Sequence, residues 1–420
     1  MMAKKIPAFT VWGFSLLFCW QLSGQSLPDS LRMVGPDSIK SYPLKTVTVF
    51  GNASIGKNSI YQFSTEEAKR IVTVMGETDV LRYVGTLPGV SQGMEGGLGF
   101  FIRGSNSGNN RYLLDDVPLY GSDHLFGLFS VFHPDIVGNV EFRSGKFPAS
   151  SGNFLSSLTH VSTVTPSSKM RGGSLSISPF MFGGSLSGPL FNGKASFQVA
   201  GRISLLGAEM ALVKKMTETE GDFVPEVGDL YFKFHVCPSD NDVVDATGYY
   251  SNDYFKFVSV DDNENNTVEQ NWGNKVFSLI WFRKLPGQVQ WQTSGYFNNF
   301  VSGQSQQYLE KGKQSSDLRL RTSVREWNLK SMLSKESDKL KVGAGIEAKL
   351  QRLQPASERM YTSSQQANPD KHYSYNPASS TRNISLFGDL EYKYGNTITT
   401  LGYRGSYFAG RRFDKLCHDL

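Results

Sequence analysis

A chain of 420 residues with a net charge of +5, 39% apolar and only 19% charged residues is long enough for two or three ordinary domains, and its charge content falls below the ~25% of a typical soluble protein. Aromatic residues make up 13% and glycines number 42; this composition excludes the Ala/Glu/Lys/Leu-rich helical bundles and coiled coils, and so much aromatic surface argues against disorder. What remains is a turn-rich β protein.

The first element is an address. Lys4 and Lys5 precede an apolar run from Ala8 to Trp20, followed by the small polar stretch Ser23-Gly24-Gln25-Ser26. A charged start, a short apolar stretch and a small-residue exit mark residues 1–25 as a secretory signal peptide. The run is shorter than the ~20 residues of a spanning helix, and no other stretch approaches that length. Phe18 is too bulky for the position before a lipidated cysteine, so Cys19 is not read as an anchor. Cys237 and Cys417 lie too far apart in sequence to suggest a disulfide framework. Membrane association then has to come from β-structure.

After an N-terminal extension at residues 26–43, residues 44–165 read as a compact α+β unit. Thr46-Val47-Thr48-Val49 is a short strand. Ser64-Thr65-Glu66-Glu67 is a capping box opening a helix toward Ile71, and Thr78 to Val84 is a second helix ended by Gly85. Phe100-Phe101-Ile102-Arg103-Gly104, a polar loop to Asn110, and Tyr112 to Pro118 follow.

From residue 166 onward the pattern has a period of two. Ala195, Phe197, Val199, Gly201, Ile203 and Leu205 share one face, while Lys194, Ser196, Gln198, Arg202 and Ser204 share the other. The same alternation returns in Phe232/Phe234/Val236 against Tyr231/Lys233/His235, and in Leu340/Val342/Ala344/Ile346 against Lys339/Lys341/Glu347/Lys349. Tight turns at Asn192-Gly193, Pro238–Asp240, Pro286-Gly287, Glu336–Asp338 and Gly395-Asn396 alternate with long polar stretches, roughly 207–228, 252–271, 302–321 and 352–382, which read as loops. Short turns at one end and long loops at the other are the signature of an antiparallel transmembrane β-barrel. About eleven strands at roughly 23 residues each amount to half of a 22-stranded wall. The charged end Asp414–Leu420 breaks the alternation, so residues 166–420 read as a partial, truncated or frame-disrupted barrel.

Six short motifs then occur in a consistent order: Leu87-Pro88-Gly89-Val90, Ile102-Arg103-Gly104, Leu114-Asp115-Asp116-Val117-Pro118-Leu119-Tyr120, His133-Pro134-Asp135-Ile136, Val140-Glu141-Phe142 and Gly145 to Gly152. In this order they resemble the plug of TonB-dependent outer-membrane receptors of the Bacteroidota type, over about residues 44–413. Asp116 stands where that family often has Gly, Ser150-Ser151 replaces a common Arg-Tyr, and His160 stands where Asp is frequent. The resemblance implies a receptor in the outer membrane of a Gram-negative cell, in contact with lipid, for active import of a siderophore, vitamin or glycan. Its partners would be a TonB-type energy-coupling protein and a surface lipoprotein, with no nucleic acid. The alternatives are a non-transporting outer-membrane scaffold and a passive porin, although a porin has no folded N-terminal plug.

Candidate sites follow from the same resemblance. Thr46, Val47, Thr48 and Val49, or the extended Ser38–Leu44 before them, would add as a strand to the energy-coupling partner; the bland reading of Thr46–Val49 is the plug's first strand. Arg103, Arg143 and Lys146 are either solvated strand ends or plug charges facing the barrel wall in wet ion pairs. The loops Ser91–Gly99 and Ser105–Asn110, with Glu95, Asn106, Asn109 and Asn110, would face the ligand, with Tyr254 and Phe255 above them. No catalytic constellation is found. Gly188 to Ala195 nearly matches a phosphate loop, but Ala195 lacks the hydroxyl and the segment reads as a hairpin. The six histidines show no metal-binding spacing, and no cofactor is expected.

Overall fold

A few polar caps decide where the N-terminal domain turns. The Glu67 carboxylate accepts from the Ser64 N–H at 2.8 Å and starts the helix Thr65–Ala68. Asp79 accepts from the Leu81 N–H at 2.8 Å and starts the helix Val80–Gly85. The computed structural model describes residues 60–71, 78–92, 99–152, 154–217, 221–261, 264–310, 313–362, 370–374, 378–410 and 413–419, all within the unit Thr48–Leu420.

Five strands form the sheet of this domain, in the spatial order Ile60–Ser64, Val137–Arg143, Ser157–Thr163, Asn110–Leu114, Val117–Leu119. One pairing, Asn110–Leu114 with Ser157–Thr163, is parallel. The last hairpin turns on Asp115 and Asp116, at φ +46° and +70°. Two consecutive positive φ values are those of a type I′ turn, usually given to Asn or Gly. Asp115 is held there because its carboxylate accepts from the Thr163 N–H at 2.9 Å. The missing glycine at 116 therefore does not break the turn. Phe63, Val80, Val84, Ile102, Ile136, Val140, Phe142 and Val161 are buried in the core, which continues into Tyr231 and Tyr249 of the second sheet.

That second sheet is antiparallel and follows chain order: Gly172–Ile177, Met181–Leu190, Ala195–Ser204, Asp222–Ser239, Asp242–Asp261, Glu264–Leu285, Val289–Glu310, Lys313–Glu336, Leu340–Thr362, Ser379–Tyr394, Thr397–Gly410 and Phe413–Asp419. The short strand Asp370–Ser374 pairs with the far end of Leu340–Thr362. Segment 188–195 is a hairpin, as its sequence indicates. Alternation sorts side chains to two faces. Phe277, Leu279, Trp327, Leu329, Ile346 and Leu350 are exposed on the outer face near the short turns, while Ser278, Asn328 and Glu326 between them are buried inside.

Two readings of the sequence change here. The polar stretches 252–271 and 302–321 are not loops but strand: pairing runs to Asp261↔Glu264 and to Glu310↔Lys313. A polar run with no apolar face carries no period-two signal, yet its backbone groups still pair across the hairpin. Strands of 20–24 residues exceed the ~9–11 that cross a bilayer, so these hairpins project past the apolar band. Residues 207–228 hold the helix Leu206–Thr217 and the start of the next strand. The charged end also differs, since Phe413–Asp419 pairs with Thr397–Gly410; backbone pairing there does not require alternating side chains. No helix among the described residues is long and apolar enough to cross a membrane.

If the outer apolar face meets lipid, Ile346→Arg, in mid-band, should cost about 2–4 kcal/mol in urea unfolding from bilayers. Gln307→Arg, on a projecting hairpin, should cost almost nothing. Equal effects at the two positions would contradict this placement of the bilayer.

Candidate functional site

The inner face of the sheet is polar, and it meets the N-terminal domain through strands from Ala195–Ser204 to Thr397–Gly410. Three clusters do most of the joining.

The first surrounds His124, which is fully buried. Its Nδ1 lies 2.7 Å from Asp253 and its Nε2 3.1 Å from Asp229. Asp229 also accepts from Arg202 Nε at 2.6 Å, and Arg202 reaches the Ser130 carbonyl. The other oxygen of Asp253 accepts from the Leu125 N–H at 3.1 Å. Burial alone would lower the His124 pKa, but the flanking carboxylates, Asp253 foremost, override it and raise the pKa to about 9. Both ring nitrogens therefore donate. Beyond His124 the backbone is strained: Leu125, Phe126 and Gly127 have φ of +49°, +58° and +94°, a conformation costing non-glycine residues about 1–2 kcal/mol each.

The second cluster centres on Glu326, completely buried on the wall. It accepts from the Tyr120 hydroxyl at 2.5 Å, from Tyr296, and from Gln351 Nε2 at 3.0 Å, and pairs with Lys349 at 3.3 Å. Beside it Asn274 accepts from the Tyr120 N–H at 3.2 Å and donates to the Gly121 carbonyl at 3.2 Å, while Asn298 donates to the Pro118 carbonyl.

In the third, Asp389 accepts from the N–H groups of Ala149 and Ser150 at 2.6 and 2.9 Å. Lys330 donates to the Ser150 carbonyl at 2.7 Å, and Arg404 to the Ala149 carbonyl at 3.0 Å. Elsewhere Lys233 donates to Thr163 at 2.9 Å and pairs with Asp115 at 3.4 Å.

Between these anchors and the long hairpins lies a cavity of about 560 Å³, lined on one side by the N-terminal domain and on the other by Gln270, Trp272, Phe300 and Ser302. Phe126 lines it too, packed at 5.1 Å on Trp272 and edge-on at 5.2 Å against Phe255. The strained segment thus carries a cavity-lining ring two residues from the buried histidine.

The candidate residues fall in different places. Asn109 and Asn110 line the cavity, and Asn110 is fixed by donating to the Phe100 carbonyl at 2.6 Å and accepting from Ser157. Asn106 instead caps the turn Ser107–Asn109, accepting from the Gly108 N–H. Phe255 packs behind Phe126. Arg143 pairs with Glu141 on its own strand and donates to the Lys146 carbonyl. Arg103 is exposed at φ +50°, near Gly89 and Gly145. The contacts just described between domain and wall come from other residues. Glu95 and Thr46–Val49 lie outside the described residues. His124, Asp229, Asp253, Glu326 and Asp389 were not singled out from the sequence; the signal available for the wall residues was the polar face of alternating strands.

The His124 pKa sets a pH dependence. Because the folded value is raised, the stability it contributes is complete below about 6.5 and lost as pH rises through about 9. In micelles the domain should become easier to cleave by protease between pH 7 and pH 10, and His124→Gln should flatten that dependence. An unchanged slope in the variant would contradict the assignment.

Residues 57–157 match the family model of the TonB-dependent receptor plug domain. No curated protein matches the chain. Among solved structures it is similar to the copper transporter OprC, at TM-score 0.59 and 10% identity over 87% of this chain and 59% of that one. It is also similar to the ferric citrate transporter FecA in its unliganded form (0.55; 14%; 88% and 59%) and to the outer membrane transporter YddB of Escherichia coli (0.57; 12%; 86% and 57%). The chain spans less than two thirds of the length of each of these, and at such identities the likeness is one of fold. Residues 57–157 are thus a plug domain of the TonB-dependent receptor type, and the chain as a whole has the fold of a plug followed by antiparallel barrel strands.

Proposed function

We propose that this receptor imports a scarce solute across the outer membrane, binding it in the cavity and passing it inward when an energised TonB-type partner displaces the plug. The observation that carries this reading is the sharing of one segment by two sites. Phe126 lines the cavity, while its neighbours Leu125 and His124 are tied to Asp253 on the wall. A ligand pressing on Phe126 acts on backbone already strained, so occupancy and plug release draw on the same contacts.

On this reading residues 1–25 direct export, 26–43 lead to the coupling segment, 44–165 form the plug and 166–420 the wall. The long hairpins face outward, and a surface lipoprotein could sit over them as a further partner. The chemistry asked of the chain is binding and movement, with energy supplied from the partner's side through a strand added to its sheet edge. The copper and ferric citrate named for the similar structures belong to those proteins.

The receptor in micelles should be captured by the purified periplasmic domain of a TonB-type protein. Deletion of residues 38–49 should abolish capture, and Val47→Pro, which removes a backbone donor from an added strand, should weaken it if the strand lies at 46–49. Absence of capture by the intact receptor would favour the non-transporting scaffold.

A further inference from the structure

The cavity's lining narrows the chemistry of what it holds. Among the described residues that line it, Arg111 and Asp123 are the charged ones, one of each sign. The Arg111 guanidinium is already engaged, 5.9 Å from the Tyr120 ring and 5.6 Å from that of Phe154. A polyanionic ferric chelate buried here would have one occupied cation to balance several charges, which is costly in a partly desolvated site. Among the described residues no histidine, cysteine or methionine lines the cavity, and one carboxylate does. A bare ion would find neither the soft donors that hold copper nor the set of oxygens that holds a hard cation.

What the lining does supply is aromatic faces and amides. Phe126, Phe154, Trp272 and Phe300 present rings from both sides, and Asn109 and Gln270 add groups that both donate and accept. A pyranose or furanose ring has the complementary form: faces of C–H bonds carrying slight positive charge, which suit the negative face of an aromatic ring, and a rim of hydroxyls. An amide can donate to one hydroxyl of a vicinal pair and accept from the other. The volume of about 560 Å³ lies within the ~300–1,000 Å³ of small-molecule sites. We propose that the cavity binds a neutral, hydroxyl-rich ligand of the oligosaccharide class, resting against the aromatic lining that Trp272 and Phe300 supply from the wall and Phe126 and Phe154 from the plug. This rests on the receptor reading and gives it a substrate class.

The test is a titration of the receptor in micelles, by calorimetry and tryptophan emission. The probes are neutral gluco-, manno-, xylo-, galacto- and fructo-oligosaccharides, with a ferric tris-catecholate, ferric citrate and cupric ion as comparators. At least one neutral oligosaccharide should bind saturably and with little dependence on salt. Phe300→Ala should weaken it about tenfold and Phe300→Tyr should restore most of the loss. Gln270→Ala, which leaves the aromatic packing intact, should weaken it as well. Saturable binding of a charged chelate or of copper with none of the oligosaccharides, or no oligosaccharide binding at all, would overturn the ligand class. Capture by the TonB-type domain, measured on the same preparation, separates the two failures: if it persists, the ligand class alone is wrong, and if it too is absent, the receptor reading falls.

Discussion

Where a plug packs against a polar wall, a buried polar side chain has few routes to bulk water, and the rest of this structure follows from how each finds a partner. Glu326 is the clearest case. A fully buried carboxylate would be untenable alone, and it is satisfied by two tyrosine hydroxyls, an amide and an ammonium drawn from both the plug and the wall. Asp389 does the same for two backbone N–H groups of the plug, and Asp253 for His124 and Leu125 together. Removing one member of such a set strands the others, at a cost of about 3–5 kcal/mol for a buried charge. These contacts, together with the apolar core the plug shares with Tyr231 and Tyr249 of the wall, hold the plug in one position. They also define what must be broken for it to move, since each can be replaced by water once a path is opened.

The distribution of strain fits this picture. Hairpin residues Asp115 and Asp116 sit at positive φ and are fixed by hydrogen bonds to the plug's own Thr163 and by wall contacts from Lys233 and Gln292. Leu125 and Phe126 sit at positive φ and are fixed mainly through Asp253 and the rings of Phe255 and Trp272, all on the wall. Release of the wall contact would let the second segment relax while the first retains its partners within the plug. The segment free to relax is the one that lines the cavity.

Much of the architecture was legible in the sequence because alternation and capping are local signals. Ser64, Glu67 and Asp79 announce helix starts with their own side chains, and Leu340 to Leu350 sorts lipid face from lumen face residue by residue. The long hairpins were hidden because stretches such as Ser302–Arg321 are polar on both faces, so pairing is supplied by the neighbouring strand and leaves no pattern in the segment itself. The helix Leu206–Thr217 was hidden in a similar way, since none of its residues is buried and no apolar stripe distinguishes it from a loop. The anchoring residues depend on register. That Asp229 and Asp253 converge on His124 follows from the pairing of their two neighbouring strands and from packing of the plug on the wall across more than a hundred residues, which composition does not encode. Asn109 and Asn110, which line the cavity, stand out in the sequence because a polar Asn/Gly loop between strands is itself a signal; Phe126 does not, because an aromatic residue next to leucine reads as core.

The central claim is that buried polar contacts with the wall, centred on His124 and its two aspartates, hold the plug segment around residues 119–131. Hydrogen–deuterium exchange of the protein in micelles tests it most directly. Backbone amides of residues 119–131 should be protected nearly as well as the central wall strands, and Asp253→Asn combined with Asp229→Asn should release that protection while leaving exchange in residues 157–163 unchanged. Rapid exchange of residues 119–131 in the unaltered protein, or protection indifferent to the two substitutions, would contradict the account.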